Sequence, residues 1–207
     1  MLDLQSPSQR VASGAPCRSR GFTLVELMVT LVILAIIVGI GVPKFRQLTT
    51  SNRMSAAAND VVAALQVARI EAVRQNGRTM LCPSTDGLTC SGTNWSHFIV
   101  FRLAPTVSTA TPASVVPASA NDVVRDVNLP AVNLNIGGSP NVVSSNRIWF
   151  AADGYARVGS TANRAGTIGI CTTVITTTNT RDVIINTSGV AVQRNTRPAC
   201  AQPGEPT

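Results

Sequence analysis

The stretch that decides the fold runs from Phe22 to Val42 and reads FTLVELMVTLVILAIIVGIGV. Its only charged residue is Glu26, and no polar side chain occurs from Leu31 onward. An α-helix rises about 1.5 Å per residue, so this stretch would span about 31 Å and cross the hydrocarbon core of a bilayer. A buried helix of a soluble protein normally keeps a polar stripe. The pattern therefore favours a membrane-spanning helix over a core helix.

A secretory signal peptide is the competing interpretation of the apolar stretch. Such a signal has a shorter apolar region, and a cleavage site of small residues follows it. Here the apolar region is long, and the sequence Pro43-Lys44-Phe45-Arg46 follows it. We therefore expect the stretch to remain in the protein as a helix.

The helical periodicity continues beyond the apolar stretch, but one face becomes polar. A single apolar stripe with helical spacing is formed by Met54, Ala58, Val61, Leu65, Ala68 and Ala72. Asn76-Gly77 predicts the end of the helix, because Gly tolerates the left-handed conformation found there. We predict one helix from about Phe22 to Gln75, with a transmembrane half over 22–42 and an amphipathic half over 43–76.

Residues 77–207 have the composition of short strands and turns. β-prone runs occur at Thr79–Pro83, Ser96–Leu103, Arg147–Ala151, Tyr155–Val158, Thr167–Thr173, Arg181–Asn186 and Val190–Arg194. Asp153-Gly154 and Ser188-Gly189 are typical of hairpin turns between such runs. This region is predicted to be a β-rich domain.

Two further segments lie within this region. Residues 104–121 are dominated by Pro, Ser, Thr and Ala, so we expect a mobile loop. Residues 122–137 are expected to hold one or two weaker strands. The predicted fold class is α+β, with a long N-terminal helix packed on a C-terminal antiparallel β-sheet domain.

Composition limits the function classes. The chain has 207 residues, of which 44% are hydrophobic and 13% charged, and this excludes a disordered polar chain. Its net charge of +7 permits anionic partners. The single histidine, His97, lies in a strand-like run without a nucleophile motif, and no phosphate loop or metal motif occurs. The sequence therefore predicts no catalytic residue, no metal and no cofactor.

The N-terminus carries the most specific motif. Residues 1–21 form a polar leader with three arginines, and Gly21-Phe22 is followed by Glu26 at the head of the apolar stretch. This arrangement resembles the type IV prepilin signal. The resemblance implies cleavage by a prepilin peptidase between Gly21 and Phe22, and N-methylation of Phe22. It also implies a single-pass protein of the bacterial inner membrane, with the leader in the cytoplasm and the β-rich domain in the periplasm.

Glu26 is an acid placed in an apolar helix. An ionised carboxylate at mid-membrane costs about 2.5–3.5 kcal/mol, but Glu26 lies only about 6 Å along the helix from Phe22. One interpretation is a tolerated acid at the membrane interface. The resemblance implies a second one, in which Glu26 pairs with the free amine of a neighbouring subunit and sets register during assembly.

The rest of the chain resembles the GspH/FimT family of minor pseudopilins and minor pilins. The resemblance is carried by residues 68–73 (ARIEAV), by Ile148-Trp149-Phe150 before Asp153-Gly154, and by Cys171 with Cys200. It implies a pilin-like structural subunit that helps prime or cap a type IV pilus or a type II secretion pseudopilus, with other pilins or pseudopilins as partners. A membrane-anchored domain without a filament role is the alternative, and it predicts no processing after Gly21.

The cysteines fit a protein exported to an oxidising compartment. Removal of the leader would take Cys17 away and leave Cys82, Cys90, Cys171 and Cys200, an even set that favours disulfides. Three pairings are open, and we expect Cys82 with Cys90 and Cys171 with Cys200. Zinc is disfavoured because no C-x-x-C pair occurs.

DNA is an alternative partner. Some pilus-type members of the family are implicated in DNA uptake through a basic C-terminal region, and here Arg181, Arg194 and Arg197 could contact phosphates. The sequence departs from the Gly-Arg-x-Arg run associated with that activity, because Val190 follows Gly189. Solvated surface arginines without a ligand are the competing interpretation.

Overall fold

The computed structural model describes residues 21–103, 117, 119–159, 165–187 and 189–206. The predicted leader up to residue 20, including Cys17, lies outside the described residues, as do Ser188 and most of the predicted loop at 104–121. The chain divides into two compact units, Met1–Val42 and Pro43–Thr207.

Helix α1 covers Leu24–Arg74, close to the predicted bounds. Its residues in the first unit are all exposed. In the second unit the predicted apolar stripe is confirmed, since each of its members is at most 1% exposed: Met54, Ala58, Val61, Leu65, Ala68 and Ala72. Ala57 and Ala64 widen the stripe. The amphipathic half of α1 therefore buries one face in the β-rich domain.

The end of α1 corrects one detail of the prediction. Asn76 has a φ of 47°, in the left-handed region, whereas Gly77 is not among the residues with positive φ. The Gly77 N–H donates to the Ala72 carbonyl at 2.9 Å. Asparagine therefore supplies the left-handed residue, since its short polar side chain tolerates this conformation.

Nine strands and a short helix follow α1 within the described residues. They are β1 Arg78–Pro83, β2 His97–Leu103, β3 Val123–Asn128, β4 Asn135–Gly138, α2 Pro140–Val143, β5 Ile148–Phe150, β6 Ala156–Val158, β7 Gly166–Cys171, β8 Thr180–Asn186 and β9 Gly189–Asn195. All seven predicted β-prone runs overlap a strand, and the segment at 122–137 overlaps two. Asp153-Gly154 joins the antiparallel pair of β5 and β6, as predicted.

The strands form two antiparallel sheets. One has the order β3-β2-β1-β5-β6, and the other has the order β4-β7-β8-β9. A common core joins the buried face of α1 to apolar residues of both sheets, among them Leu81, Phe98, Ile168 and Val183. The protein is thus an α+β fold, as predicted, in which the second half of α1 packs on antiparallel sheets.

Three aromatic side chains that follow α1 in the chain are buried. Trp95 is fully buried, Phe150 is 2% exposed and Trp149 is 8% exposed. Trp95 and Phe150 belong to the core shared with α1, whereas Trp149 belongs to a second cluster.

Helix α2 has no counterpart in the prediction. Its N-terminus is held by Glu205, whose carboxylate accepts hydrogen bonds from the Asn141 N–H at 2.6 Å and from the Ser139 hydroxyl at 3.1 Å. The cap therefore comes from a residue 64 positions later in the chain. A four-residue helix stabilised in this way leaves little local signal.

Candidate functional site

The start of α1 is fixed by Thr23. Residues 21–23 are not helical, and the Thr23 hydroxyl accepts a hydrogen bond from the Glu26 N–H at 3.2 Å. The Thr23 carbonyl accepts from the Leu27 N–H at 3.1 Å. These two bonds make Thr23 the N-cap of the helix. The peptide bond between Gly21 and Phe22 therefore lies just outside the helix.

Sequence reasoning did not identify this cap. The signal was present, because Thr23 and Glu26 have the Thr-x-x-Glu spacing of a capping box. The spacing also places Glu26 in the first turn, where the helix dipole favours a negative charge. Glu26 thus has a local electrostatic role beside the intersubunit role that the resemblance implies.

The first unit exposes an almost continuous apolar surface. Phe22 is 79% exposed, and the large apolar side chains that follow it are exposed as far as Val42, at 45%. Among the described residues, α1 is the only helix long and apolar enough to span a membrane. Such a surface is unfavourable in water, so it requires lipid or other helices around it.

Arg181 is not an accessible phosphate ligand, which corrects the prediction. It is only 4% exposed, and its guanidinium donates to the hydroxyls of Ser51 and Ser55 on α1 at 3.1 Å and 3.4 Å. It also donates to the carbonyls of Thr178 and Thr180 at 3.0 Å and 2.8 Å. Arg181 therefore joins β8 to α1 inside the domain.

Arg197 is likewise used inside the domain. It forms an ion pair of 2.5 Å with Asp182, and the two side chains are 13% and 8% exposed. It also donates to the Ala201 carbonyl at 2.8 Å. Of the three arginines proposed to contact DNA, only Arg194 is exposed, so the structure does not bring them together on an accessible surface.

Both expected cysteine pairs are disulfides in the structure. Cys82–Cys90 links the end of β1 to the loop that follows it, and Cys171–Cys200 links the end of β7 to the C-terminal tail. In the loop closed by the Cys82–Cys90 disulfide, the Asp86 carboxylate accepts hydrogen bonds from the backbone N–H groups of Leu88 and Thr89. It also accepts one from the Thr89 hydroxyl. These hydrogen bonds hold the pKa of Asp86 well below its usual range.

Glu71 is a buried acid within the segment 68–73, and the sequence predicted no role for it. Its carboxylate accepts hydrogen bonds from Arg74 at 2.8 Å and 3.0 Å, from Arg102 at 2.7 Å, and from Gln75. The hydrogen bonds from the two arginines lower the pKa of Glu71 from 4.5 to about 2, although burial opposes this. Because Arg102 belongs to β2, this cluster ties the end of α1 to a sheet.

The described residues contain no group of three or more His, Cys, Asp or Glu side chains that could hold a metal ion. His97 lies in β2, as expected, with its Nε2 atom 2.7 Å from Oδ1 of Asp126. The four described cysteines are taken by the disulfides.

Two family models match the chain. Residues 57–189 match the family described as Type II transport protein GspH, and residues 16–42 match the prokaryotic N-terminal methylation motif. The Type IV narrow pilus major component PilA5 of Thermus thermophilus is 33% identical over 82 residues, which are 38% of this chain and 71% of that protein.

Among solved structures, the type IV minor pilin FimU of Pseudomonas aeruginosa is similar in two crystal forms. The first is 22% identical with a TM-score of 0.48, and the match covers 75% of this chain and 96% of that one. The second is 20% identical with a TM-score of 0.44, and the match covers 72% and 96%. Because the GspH match spans more than half of the chain, this protein belongs to the GspH family of pilin-like proteins.

Proposed function

We propose that this protein is a minor pilin or minor pseudopilin, which helps to prime or cap a type IV pilus or a type II secretion pseudopilus. The exposed apolar stretch of residues 22–42, which is helical from Leu24, carries this proposal. Such a helix can be stored in a bilayer and later packed beside other helices of the same kind. The family membership and the methylation motif support the same conclusion.

In this proposal a prepilin peptidase cleaves the bond between Gly21 and Phe22, and Phe22 is then N-methylated. Residues 1–21 are the leader, and residues 22–42 span the inner membrane. The periplasmic part consists of the amphipathic half of the helix, residues 43–76, and the β-rich domain, residues 77–207. The position of Gly21 and Phe22 outside the helix supports this assignment, since proteases cleave extended backbone more readily than helix.

Glu26 is assigned the pairing role. Cleavage creates a positive amine on Phe22, which lies at the unfavourable positive end of the helix dipole. A carboxylate from a neighbouring subunit would compensate this charge in an environment of low dielectric constant. Glu26 is the only acid in the apolar stretch and is exposed along it.

The experiment is to express the full chain with its filament machinery and to determine the mature N-terminus by mass spectrometry. We expect the wild-type protein to begin with methylated Phe22. Glu26→Ala should leave cleavage largely intact but reduce incorporation into filaments. Asp60→Ala, which removes an acid from the same helix outside the apolar stretch, should leave both unchanged.

Two results would contradict parts of this proposal. Native protein that still carries residues 1–21 would exclude a processed pilin subunit and leave a membrane-anchored domain. Normal incorporation of Glu26→Ala would exclude the pairing role of Glu26 while leaving the subunit assignment intact.

A further inference from the structure

The outer strands of the two sheets differ in how well they are protected against pairing with another chain. An outer strand presents unpaired backbone N–H and C=O groups, and proteins usually shield them with short strands, bulges, charges or covering segments. The outer strands are β3 and β6 in the five-stranded sheet, and β4 and β9 in the four-stranded sheet.

Three of these four edges carry such protection. Strand β6 has three residues, and β4 has four. The last carbonyl of β4, on Gly138, accepts a hydrogen bond from the Gln202 side chain at 3.0 Å. Strand β3 is irregular, because its register with β2 shifts between Val100 and Phe101.

Strand β9 is less protected, since its one charged side chain is that of Arg194. It has seven residues, all exposed or half-buried, and it contains neither Pro nor Lys. It pairs with β8 without a register shift, from Thr180 opposite Asn195 to Asn186 opposite Gly189. Within the described part of the chain, β8 is its only strand partner. Its outer edge is therefore a long, regular and open template.

The side chains of β9 define what would fit beside it. Val190, Val192 and Arg194 alternate along the strand and so share one face, and Val192 is 45% exposed. Arg194 lies directly opposite Arg181 of β8. Like charges in this position are destabilising. Burial is the main cause that lowers the pKa of Arg181, and the charge of Arg194 lowers it further.

We propose that β9 is a docking strand, to which an extended segment of another pilin-like subunit adds as a further strand. That segment places apolar side chains beside Val190 and Val192 and a carboxylate beside Arg194. The carboxylate offsets the repulsion between Arg194 and Arg181, as opposite charges across strands do. This inference rests on the proposed function, which brings different subunits together in a filament.

A second copy of this chain fits less well than a different subunit. Two antiparallel β9 strands centred on Val192 would place each Arg194 beside Val190 of the other copy. Both arginines would then lack a carboxylate, and the net positive charge of the chain would oppose the contact. The partner is therefore a different subunit with an acidic residue in its extended segment.

The test uses the full chain, with the photo-crosslinking residue p-benzoylphenylalanine in place of Val192, in cells that express the filament machinery. Leu88 is the matched control position, since it is 52% exposed but lies in the loop closed by Cys82 and Cys90. We expect a crosslink from position 192 to another pilin-like subunit, at least about fivefold above that from position 88. Peptide mapping should place it in an extended segment with an Asp or Glu within two residues.

A charge variant separates docking from folding. In the crosslinking chain, Arg194→Glu should lower the yield at position 192 by about fivefold, whereas Arg194→Lys should keep most of it. The same Arg194→Glu change should not lower the unfolding midpoint of the protein, because it replaces a repulsive cross-strand pair with an attractive one. A general loss of folding would instead lower both the crosslinking yield at position 192 and the unfolding midpoint.

The proposal is overturned if positions 192 and 88 crosslink equally, if position 192 crosslinks only to a second copy, or if Arg194→Glu leaves the yield unchanged. Processing after Gly21 and incorporation are measured in the same cells. Normal processing and incorporation with no crosslink from position 192 would overturn the docking strand alone. An unprocessed chain would overturn the proposed function together with it.

Discussion

Arginine and glutamate side chains of this protein act mainly through the partners that the fold brings to them. Arg181 and Arg197 resemble surface cations in the sequence, yet one bonds serines of α1 and the other bonds Asp182. Burial of a charge is costly unless it is paired and hydrogen-bonded. Glu71 follows the same rule with Arg74 and Arg102, so these residues are assigned to stability.

Substitution of Glu71 by Gln should reduce stability in a pH-dependent manner. The pKa of Glu71 is lowered from 4.5 to about 2 in the folded protein, so its charge stabilises the fold above pH 4.5. This contribution is lost as the pH falls from about 5 towards 2. The full difference in pKa corresponds to about 3 kcal/mol, which we reduce to about 1–2 kcal/mol because Arg74 is largely exposed to solvent.

The measurement is urea unfolding of the full chain in detergent at pH 7 and at pH 3. Glu71→Gln should be less stable than wild type by about 1–2 kcal/mol at pH 7, with a smaller difference at pH 3. Asp60→Asn is the control and should remain within about 0.5 kcal/mol at both pH values. An equal loss from Glu71→Gln at both pH values would show that its charge is not the cause.

At the scale of elements, the end of α1 separates the roles of Asn76 and Gly77. Asn76 adopts a φ of 47°, which costs a residue with an ordinary side chain about 1–2 kcal/mol. Asn76→Gly should therefore be close to neutral, whereas Asn76→Ala should destabilise the protein by about 1 kcal/mol. A Cβ on Gly77 would meet only ordinary contacts, at 3.7 Å and 3.9 Å from Gln75 atoms.

Unfolding midpoints of three variants test this assignment. We expect Asn76→Ala to have the lowest midpoint, with Gly77→Ala and Asn76→Gly near wild type. If Gly77→Ala were the most destabilised variant, the glycine would be the residue that the helix end requires, as the sequence had suggested.

Local patterns in the sequence were sufficient for the helix and for most strands. The stripe from Met54 to Ala72 is visible because the 3.6-residue period repeats several times, and β7 and β8 are rich in β-branched residues. Helix α2 was not predicted because Glu205, which caps it, is distant in sequence. The order of the strands was not predicted either, since pairs such as β1 with β5 join residues far apart in the chain.

The residues of the candidate site likewise fall into those that a local motif identifies and those whose role depends on distant partners. Gly21, Phe22 and Glu26 were identified because their motif is local, and the Thr23 cap could have been found from its spacing to Glu26. Arg181 and Arg197 were misassigned because their burial depends on Ser51, Ser55 and Asp182, which only the tertiary structure brings near them. Residues whose role depends on distant partners therefore required the structure.

At the scale of the whole molecule, the C-terminal tail is held to the four-stranded sheet by contacts of several kinds. Cys200 is bonded to Cys171 of β7, and Arg197 is paired with Asp182 of β8. Gln202 and Glu205 continue these contacts to Gly138 and to the start of α2. The tail thus connects strands that are far apart in the sequence, and its disulfide should contribute strongly to overall stability.

The two disulfides should contribute unequally to the free energy of unfolding. Cys171 and Cys200 are separated by 29 positions, whereas Cys82 and Cys90 are separated by 8. Loop-closure entropy then predicts that replacing Cys171 and Cys200 by Ala lowers the free energy of unfolding by about 3.5 kcal/mol. Replacing Cys82 and Cys90 by Ala should lower it by about 2.5 kcal/mol. In the variant without the Cys171–Cys200 disulfide, Arg197 should still hold part of the tail, so we expect a folded but less stable protein.

Urea unfolding of the full chain in detergent, with and without dithiothreitol, measures both losses. The reductant should destabilise the wild-type protein by more than either double variant loses. It should leave unchanged the stability of a variant that lacks the four disulfide-bonded cysteines. A larger loss from the Cys82/Cys90 pair would contradict the entropic ranking and would indicate that the hydrogen bonds around Asp86 depend on that disulfide. An unchanged wild type in dithiothreitol would instead show that the native contacts of the tail keep the protein folded without either bond.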